Sequence, residues 1–474
     1  MTTRRVIGVL ELASKYRYGL TSHGVPLYLF RPYDEAEPEY IVGSKSRDTS
    51  YNQIALVDVP ASPPSLAPAA GAPKPRGALI RLLGPVGDAD AEREGLLLHY
   101  CPVRHKATAA EEVSAESAED HNRLELAAAT GWITFHVDPP GCRDIDDAIA
   151  YHPATDMLAI TIADAAAAVS ETAGSPLDAV AAAIGSTFYD LEGRAVTPML
   201  PPAISEDAAS LLPGQRRRGV SLILEPGKPP RFAPSWITVE HSFHYGNFLG
   251  SPVAEQLHIS GEHDAHICVE KWMVLYNRVA AETLAAGGAG VLRIQPSATA
   301  EKVAAWSSIA ATAHLGKEAA VYAPVTDTTG HAGLGLTHYT HATSPLRRYA
   351  DLVNQRALKA ALSLSAEIQT PTPTPAALIA ALNERSKANK RWTRDLTFLT
   401  HVTPGRVHTI DIVWVDAAQK RVWVPAWGRL LRLRHDVTES SVTEPGSTGR
   451  IQIFCDPTRR NWKRRILTAP SPSS

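Results

Sequence analysis

The segment HVDPPGCRDIDDAIAYH carries the densest chemistry in the chain: four carboxylates, Asp138, Asp144, Asp146 and Asp147, fall within ten residues. Three of them crowd into four positions, where like charges repel strongly enough that a fold has to compensate them. Bound cations are the usual compensation. Hard divalent ions such as magnesium take oxygen ligands, commonly one or two carboxylates plus substrate phosphates. In an extended segment Asp144 and Asp146 point one way and Asp147 the other, so a turn or bulge is needed to let all four converge. The residue order of an EF-hand, with its glycine and closing glutamate, does not occur here. A solvated acidic loop is the plainer reading of a bare DxDD, but apolar, strand-like runs flank this one rather than polar linker.

A second segment, YTHATSPLRRYADLVNQR (339–356), places Arg347 and Arg348 two and three residues after Pro345. Arginine forks onto phosphate oxygens in a bidentate way that lysine does not match. The plainer alternative is a helix-surface pair salt-bridged to Asp351. Taken together, carboxylates that hold metals and an arginine that offsets developing charge point to phosphoryl chemistry of the two-metal kind.

The elements that must position these residues can be read from pattern. Residues 6–58 read as short strands (VIGVLEL, PLYLF, IALVDV) bounded by turn signals. The Pro/Ala-rich stretch 60–77 reads as a solvated loop. EGLLLHY (94–100) and residues 110–130 look helical. ITFHVD is a strand, and AIAYH-PATD-MLAITIAD reads as a hairpin with Leu158, Ile160 and Ile162 alternating. PLDAVAAAIGSTFYD and VEKWMVLYNRVAAETLAA read as helices, the second with Trp272, Leu275, Val279 and Leu284 along one face. A further helix is expected from Thr343 or Ser344, with Pro345 in its first turn. TPTPTP (370–375) is a surface connection, and from about residue 402 the strands RVHTIDIVWVD, RVWVPAWG and RIQIFCD have the spacing of a small barrel.

Composition bounds the rest. With 474 residues, 44% hydrophobic and 20% charged, the chain is expected to form two to four domains and is too apolar to be disordered. No run of 18 apolar residues suggests a membrane span. Glu11 and Lys15 interrupt any signal-peptide core in MTTRRVIGVLELASKYRYG. Cys101, Cys142, Cys268 and Cys455 are far apart without a CxxC pair, as expected of a reduced, cytoplasmic protein. Between Arg385 and Arg465 there are 17 Lys/Arg against 7 Asp/Glu, a surplus of +10. The whole chain sums to −2, so the remainder carries −12. A basic, Trp-containing β-module on an acidic body suits a polyanion partner; a solvated barrel face is the plainer reading.

Asp138, then Asp144 six residues on, then Ile145-Asp146-Asp147-Ala148, resembles the metal-binding signature of the RNB family, the ribonuclease II and ribonuclease R exoribonucleases. ITIADAAAAV (160–169), SPLDAVA (175–181), TPMLPPAISEDAASLLPG (197–214), the Arg218–Ser221 stretch and HATSPLRRYADL (341–352) follow in the family's order, so the resemblance covers about residues 125–400. It implies an α+β chain: a mixed α/β RNB catalytic domain (111–400) between a β-rich, cold-shock- or OB-like N-terminal RNA-binding domain (1–110) and a C-terminal OB-type RNA-binding barrel (401–474). Residue by residue, Asp138, Asp144, Asp146 and Asp147 match the carboxylates that bind magnesium, with manganese as the alternative ion. Asp146 and Arg347 match catalytic positions. Tyr189, Tyr245 and Arg348 fall where RNA contacts are expected.

Departures from the family's pattern bear on the RNA 3′ end. Val269 follows Tyr245 by only 24 positions, where the family has a longer segment with another aromatic, and Phe248 is the available stand-in. The N-terminal region is short for tandem cold-shock barrels. Asp395 is the nearest counterpart of a late catalytic-domain acid. The expected activity is processive 3′-to-5′ hydrolysis of single-stranded RNA by a monomer, releasing nucleoside 5′-monophosphates. Two rivals are an RNA-binding pseudoenzyme on the same fold and a metal-dependent phosphatase or cyclic phosphodiesterase acting on a small substrate.

Overall fold

The computed structural model describes residues 3–61, 74–105, 122–169, 175–259, 262–363, 373–402, 405–433, 444–455 and 466–468. Five strands open the chain: β1 (Thr3–Leu10), β2 (Leu27–Pro32), β3 (Tyr40–Gly43), β4 (Gln53–Pro60) and β5 (Arg76–Pro85). They close into a barrel in the order β1-β2-β3-β5-β4. Leu10, Tyr28, Phe30, Tyr40, Val42 and Val57 fill its interior. The barrel is tight where β1 meets β2: a Cβ on Gly8 would stand 2.2 Å from the Arg31 carbonyl oxygen. The loop expected over 60–77 lies mostly outside the described residues. Helix α1 (Ala89–Tyr100), N-capped by Asp88, leads out of the barrel as expected for EGLLLHY.

The central sheet has seven strands: β6 (Leu124–Leu126), β7 (Ile133–Val137), β8 (Asp147–His152), β9 (Met157–Ala163), β12 (Arg216–Leu224), β13 (Arg231–Thr238) and β14 (His241–Phe243). Their order is β14-β7-β8-β9-β12-β13-β6. The run from β7 to β13 is antiparallel, and the two edge strands are parallel to their neighbours. Both faces are buried, so alternation along a strand sorts side chains between two cores. On β8 and β9, Ala148, Ala150, Ala159 and Ala163 face one core, while Ile149, Ile160 and Ile162 face the other. The isoleucine face takes α5 (Ala265–Gly287) through Tyr276, Val279 and Leu284. The alanine face packs with α3 (Pro176–Ile184), α7 (Tyr349–Ser363) and α8 (Ala376–His401) through Ile184, Leu352 and Trp392. Helices α2 (Ala165–Ala168), α4 (Pro252–Gln256) and α6 (Ala300–Ser307) are short connectors. Two small ribbons complete this part: β10 (Phe188–Tyr189) with β11 (Ala195–Thr197), and β15 (Val291–Ile294) with β16 (Val321–Pro324). After α8, β17 (Val407–Asp416), β18 (Arg421–Val424), β19 (Arg429–Arg432), β20 (Thr448–Cys455) and β21 (Ile466–Thr468) form a five-stranded antiparallel sheet in the order β19-β18-β17-β20-β21. Among the described residues, no helix is long and apolar enough to cross a membrane.

Three helix expectations are corrected. Over 110–130, residues 106–121 lie outside the described residues, and the remainder is strand β6 followed by a 3-10 turn at Ala128–Thr130. The helix expected through Tyr189 stops at Ile184. Gly185 adopts φ 76°, and a Cβ there would meet Arg385 of α8 at 2.4 Å, so the chain turns and enters β10. The helix expected from Thr343 or Ser344 begins at Tyr349 instead. The Arg347 carbonyl accepts from Thr187 N at 2.9 Å and Tyr349 N donates to the Gly185 carbonyl at 2.9 Å. Those backbone groups are committed to the neighbouring segment, which leaves both arginines in the turn ahead of the helix.

Three distant stretches of chain meet at Asp395 of α8, which is fully buried. Tyr100, at the end of α1, donates its hydroxyl to Oδ2, and the guanidinium of Arg429, on β19, stands 4.0 Å from Oδ1.

Candidate active site

The acidic residues occupy the connection between β7 and β8 and the first residue of β8. Asp138 follows β7 directly, and its N–H donates to the Phe243 carbonyl of the edge strand at 3.1 Å. His136, two residues earlier and on the same face of β7, shares a 2.8 Å hydrogen bond between Nδ1 and Asp138 Oδ2. Its Nε2 shares another of 2.8 Å with Ser242 Oγ. The middle of the loop is held by Ser210, which is fully buried. Its hydroxyl accepts from Ile145 N at 3.0 Å and donates to the Arg143 carbonyl at 2.6 Å. Leu211 N donates to the Ile145 carbonyl at 3.1 Å. This irregular stretch is the turn that convergence of the carboxylates required.

Asp146, 2% exposed, is the most constrained of the four. Oδ1 accepts from Leu346 N at 2.9 Å and Oδ2 from Arg347 Nε at 2.8 Å. The Arg347 Nη2 donates to Ser344 Oγ at 3.0 Å, while Nη1 makes no hydrogen bond to a described residue. Asp144 accepts from the Tyr189 hydroxyl at 2.8 Å through Oδ2, and the Cys142 thiol donates to its Oδ1 at 3.5 Å. The Tyr189 backbone is fixed from α8, where Trp392 Nε1 donates to its carbonyl at 2.7 Å and Asn389 donates to the Thr187 carbonyl at 2.9 Å. Among the described residues, none donates a hydrogen bond to the Asp147 carboxylate.

Charge follows the geometry. Burial pushes Asp146 up to about 7 even though Arg347 draws it down. Asp147 is raised well above the usual carboxylate range by burial and by the charges of Asp138 and Asp146. Burial opposes the charge of Arg347, and Asp146 more than restores it. Burial, then Asp138 and Asp147, push the Tyr245 phenol up to about 12.

The donor set fits a hard divalent ion. The four carboxylates offer oxygen ligands, and one of them, Asp147, lies in the field of two others with no donor among the described residues. Among the described residues, no three His, Cys, Asp or Glu side chains stand close enough together to share one metal ion. The carboxylates would therefore have to draw inward around it.

The structure brings Asp138, Asp144, Asp146, Asp147, Arg347, Tyr189 and Tyr245 to one place. Arg348 turns elsewhere: its Nη2 donates to Asp351 Oδ1 at 2.7 Å, the salt-bridged alternative. Phe248 is fully buried, stacked on Phe135 at 5.2 Å, so it cannot serve as the third aromatic. Tyr245 instead stacks on His266, ring centroids 3.8 Å apart and 8° from parallel. Asp395 is enclosed by Tyr100, Arg394 and Arg429 and reaches none of the four aspartates. Sequence reasoning missed His136, Ser210 and Ser242. Of these only His136 carried a signal, since alternation along β7 puts it on the face of Asp138. The two serines become polar anchors only once distant loops fold together.

Residues 128–249 and 251–364 match the RNB domain. Over 165 residues the chain is 36% identical to the mouse 3′-5′ exoribonuclease HELZ2, covering 31% of this chain and 6% of that protein. Over 163 residues it is 33% identical to the Arabidopsis thaliana exosome complex exonuclease RRP44 homolog A, covering 32% of this chain and 17% of that protein. The matched stretches thus span less than a fifth of those relatives. Among solved structures, Mycoplasma genitalium RNase R in complex with ribose-methylated single-stranded RNA superposes with a TM-score of 0.71 at 16% identity, over 98% of this chain and 90% of that one. Yeast Ssd1, described as a pseudonuclease, superposes with a TM-score of 0.69 at 15% identity, over 100% of this chain and 68% of that one.

Proposed function

The chain belongs to the RNB family, and on that premise we propose that it is a ribonuclease II-type hydrolase. It degrades single-stranded RNA processively from 3′ to 5′ and releases nucleoside 5′-monophosphates. The observation that carries this reading is the Arg347–Asp146 contact at 2.8 Å, which joins a carboxylate of the acidic group to a guanidinium whose Nη1 bonds to no described residue. Domains over 1–110, 111–400 and 401–474, a monomeric state and a cytoplasmic setting belong to the same reading.

In the mechanism Asp138, Asp144, Asp146 and Asp147 would hold magnesium, or manganese in its place, which would supply the acidity that makes a water nucleophilic at neutral pH and the charge that offsets phosphate. Arg347, positioned through Nε and Nη2, presents Nη1 to the scissile phosphate, where charge grows during in-line attack. Asp146, bonded to Leu346 N and Arg347 Nε, would orient the attacking water. Tyr189 holds Asp144 in place, and Tyr245 offers a ring for the terminal bases. Stacking is worth about 1–3 kcal/mol per base and is indifferent to sequence. The surplus of basic residues between Arg385 and Arg465 supplies the charge that draws RNA in.

Product analysis tests the proposal. Purified protein, a 5′-labelled single-stranded RNA of about thirty nucleotides and magnesium should yield nucleoside 5′-monophosphates and a short labelled remnant, with EDTA abolishing both. The likeness to a pseudonuclease favours one second reading, an RNA-binding protein without turnover. RNA that stays intact yet shifts on a native gel would establish that one instead.

A further inference from the structure

A second polar cluster, which the mechanism does not use, gathers around Arg293 of β15. Arg293 is 5% exposed. Its guanidinium lies 4.6 Å from the ring centre of Tyr322, its partner across the β15–β16 ribbon. The Tyr322 hydroxyl shares a 2.9 Å hydrogen bond with His341 Nδ1. The ring of Tyr339 lies 6.0 Å from that of His341 and 5.1 Å from that of His331. Four polar atoms of this cluster are buried without a hydrogen-bond partner among the described residues: Arg293 Nη1, His331 Nδ1, Arg348 Nε and Asp351 Oδ2.

The charge is unbalanced. Lys390, exposed on α8, adds to the positive field on His341 and is itself lowered by Arg293 after burial. Among the described residues bonded within this cluster, the carboxylate is that of Asp351, paired with Arg348. Its Oδ1 is already taken by Ser344 N at 2.9 Å and by Arg348. Burial and the neighbouring cations push His341 well below the usual histidine range, and burial lowers His331 as well. Both rings are thus held neutral in a positive field. Buried donors left unsatisfied are costly and rare in native proteins, and an arginine cannot shed its charge to escape.

We propose that this cluster is an anion site that takes a phosphate group of nucleic-acid origin. Its occupant is either a phosphodiester of the bound RNA next to the one being cut or the 5′-phosphate of the mononucleotide just released. The proposal rests on the RNA-hydrolase reading and adds a binding site to it. Arginine nitrogens suit phosphate oxygens. Arg348 follows Arg347 directly, and Lys390 lies on the helix that fixes the Thr187 and Tyr189 carbonyls, so the cluster shares its supports with the acidic site. Asp351 then orients Arg348, and its one carboxylate leaves a net positive site.

The test uses the full chain carrying Asp147→Asn, so that RNA is bound without being cut. Single-stranded RNAs with one neutral methylphosphonate, moved linkage by linkage, locate each phosphate contact. At one linkage beyond the scissile position, affinity should fall about tenfold, and Lys390→Ala or Arg293→Gln should erase that sensitivity. Lys390→Ala should also lower the slope of log affinity against log salt by about one. Lys390 is exposed, so its variant keeps the test usable if the Arg293 substitution unfolds the protein. In a parallel arm, inorganic phosphate and AMP are titrated against thermal unfolding. Protection that depends on Arg293 and Lys390, with the RNA profile unchanged by the variants, assigns the site to the released product. If neither the RNA profile nor the protection depends on these residues, the anion site is wrong. If the parent binds no RNA while phosphate protection persists, the site stands and the RNA-hydrolase reading fails separately.

Discussion

The Tyr189 hydroxyl is bonded to Asp144 Oδ2 at 2.8 Å, so an aromatic expected to meet a base is tethered to a carboxylate of the acidic tetrad. Under the proposed mechanism the side chain would serve twice, as a ring for RNA and as a hydroxyl that aims a metal-ligand oxygen. Substitution separates them. Tyr189→Phe should lower kcat about 10- to 100-fold, the usual effect of removing a hydrogen bond to a metal ligand, with little change in KM. Tyr189→Leu should raise KM as well. Steady-state kinetics on a short RNA would read the split, and a Phe variant with normal kcat would mean the hydroxyl is idle.

Asp147 lies in the field of Asp138 and Asp146 and takes no donor among the described residues, so it is the carboxylate with most to gain from a cation. Asp147→Asn should abolish turnover while RNA binding stays within about threefold of the parent, because binding is dominated by contacts to the phosphate backbone. EDTA should reproduce that phenotype in the unmodified protein. Turnover near the normal rate in either case would remove the metal assignment.

Ser210 touches no reacting group, yet its hydroxyl closes the loop between Arg143 and Ile145. Ser210→Ala should cost about 1–3 kcal/mol, since a buried N–H and a buried carbonyl lose their partner together. It should also lower kcat more than RNA affinity. Urea unfolding and an RNA-binding titration on one preparation check both halves. Equal losses in kcat and affinity would indicate general damage instead of misplaced carboxylates.

How far these features could be read in advance depended on whether they were local. Alternation made the β8–β9 hairpin and β7 legible, because strand period and burial on both faces are written in consecutive residues. The clustering of Asp138, Asp144, Asp146 and Asp147 was legible for the same reason. Where a backbone group is taken by a distant segment, local pattern misleads. The helix at Arg347 starts late because Thr187 and Gly185 compete for its first hydrogen bonds, and α3 stops at Gly185 because α8 lies against it. Phe248 and Asp395 look like functional groups in one dimension and prove to be packing and anchoring groups in three. The seating of Arg348 on Asp351 was in view from their spacing, but spacing could not decide between that partner and a phosphate.

His341 gives the protein a pH-dependent stability of defined sign. Its folded pKa is pushed well below 6.5, first by burial and then by Arg348 and Arg293. The unfolded chain therefore takes up a proton that the folded chain refuses. Stability is complete above the ordinary histidine range and falls as pH drops through it, by up to about 1.4 kcal/mol per pH unit for one site. Urea midpoints between pH 8 and 5.5 should fall less steeply in His341→Asn than in the unmodified protein. Parallel curves would show that the proton goes elsewhere.

The meeting of Tyr100, Asp395 and Arg429 ties the exit from the first barrel, α8 and the terminal sheet to a single buried carboxylate. Modules that share such a knot do not melt independently. Loosening any one strand of it strands a charge in the interior of the other two, so damage at either end of the chain is felt as loss of the whole. Under the proposed reading, with RNA held by the terminal modules and cut in the centre, this coupling would disfavour a half-folded fragment that grips RNA without finishing the cut.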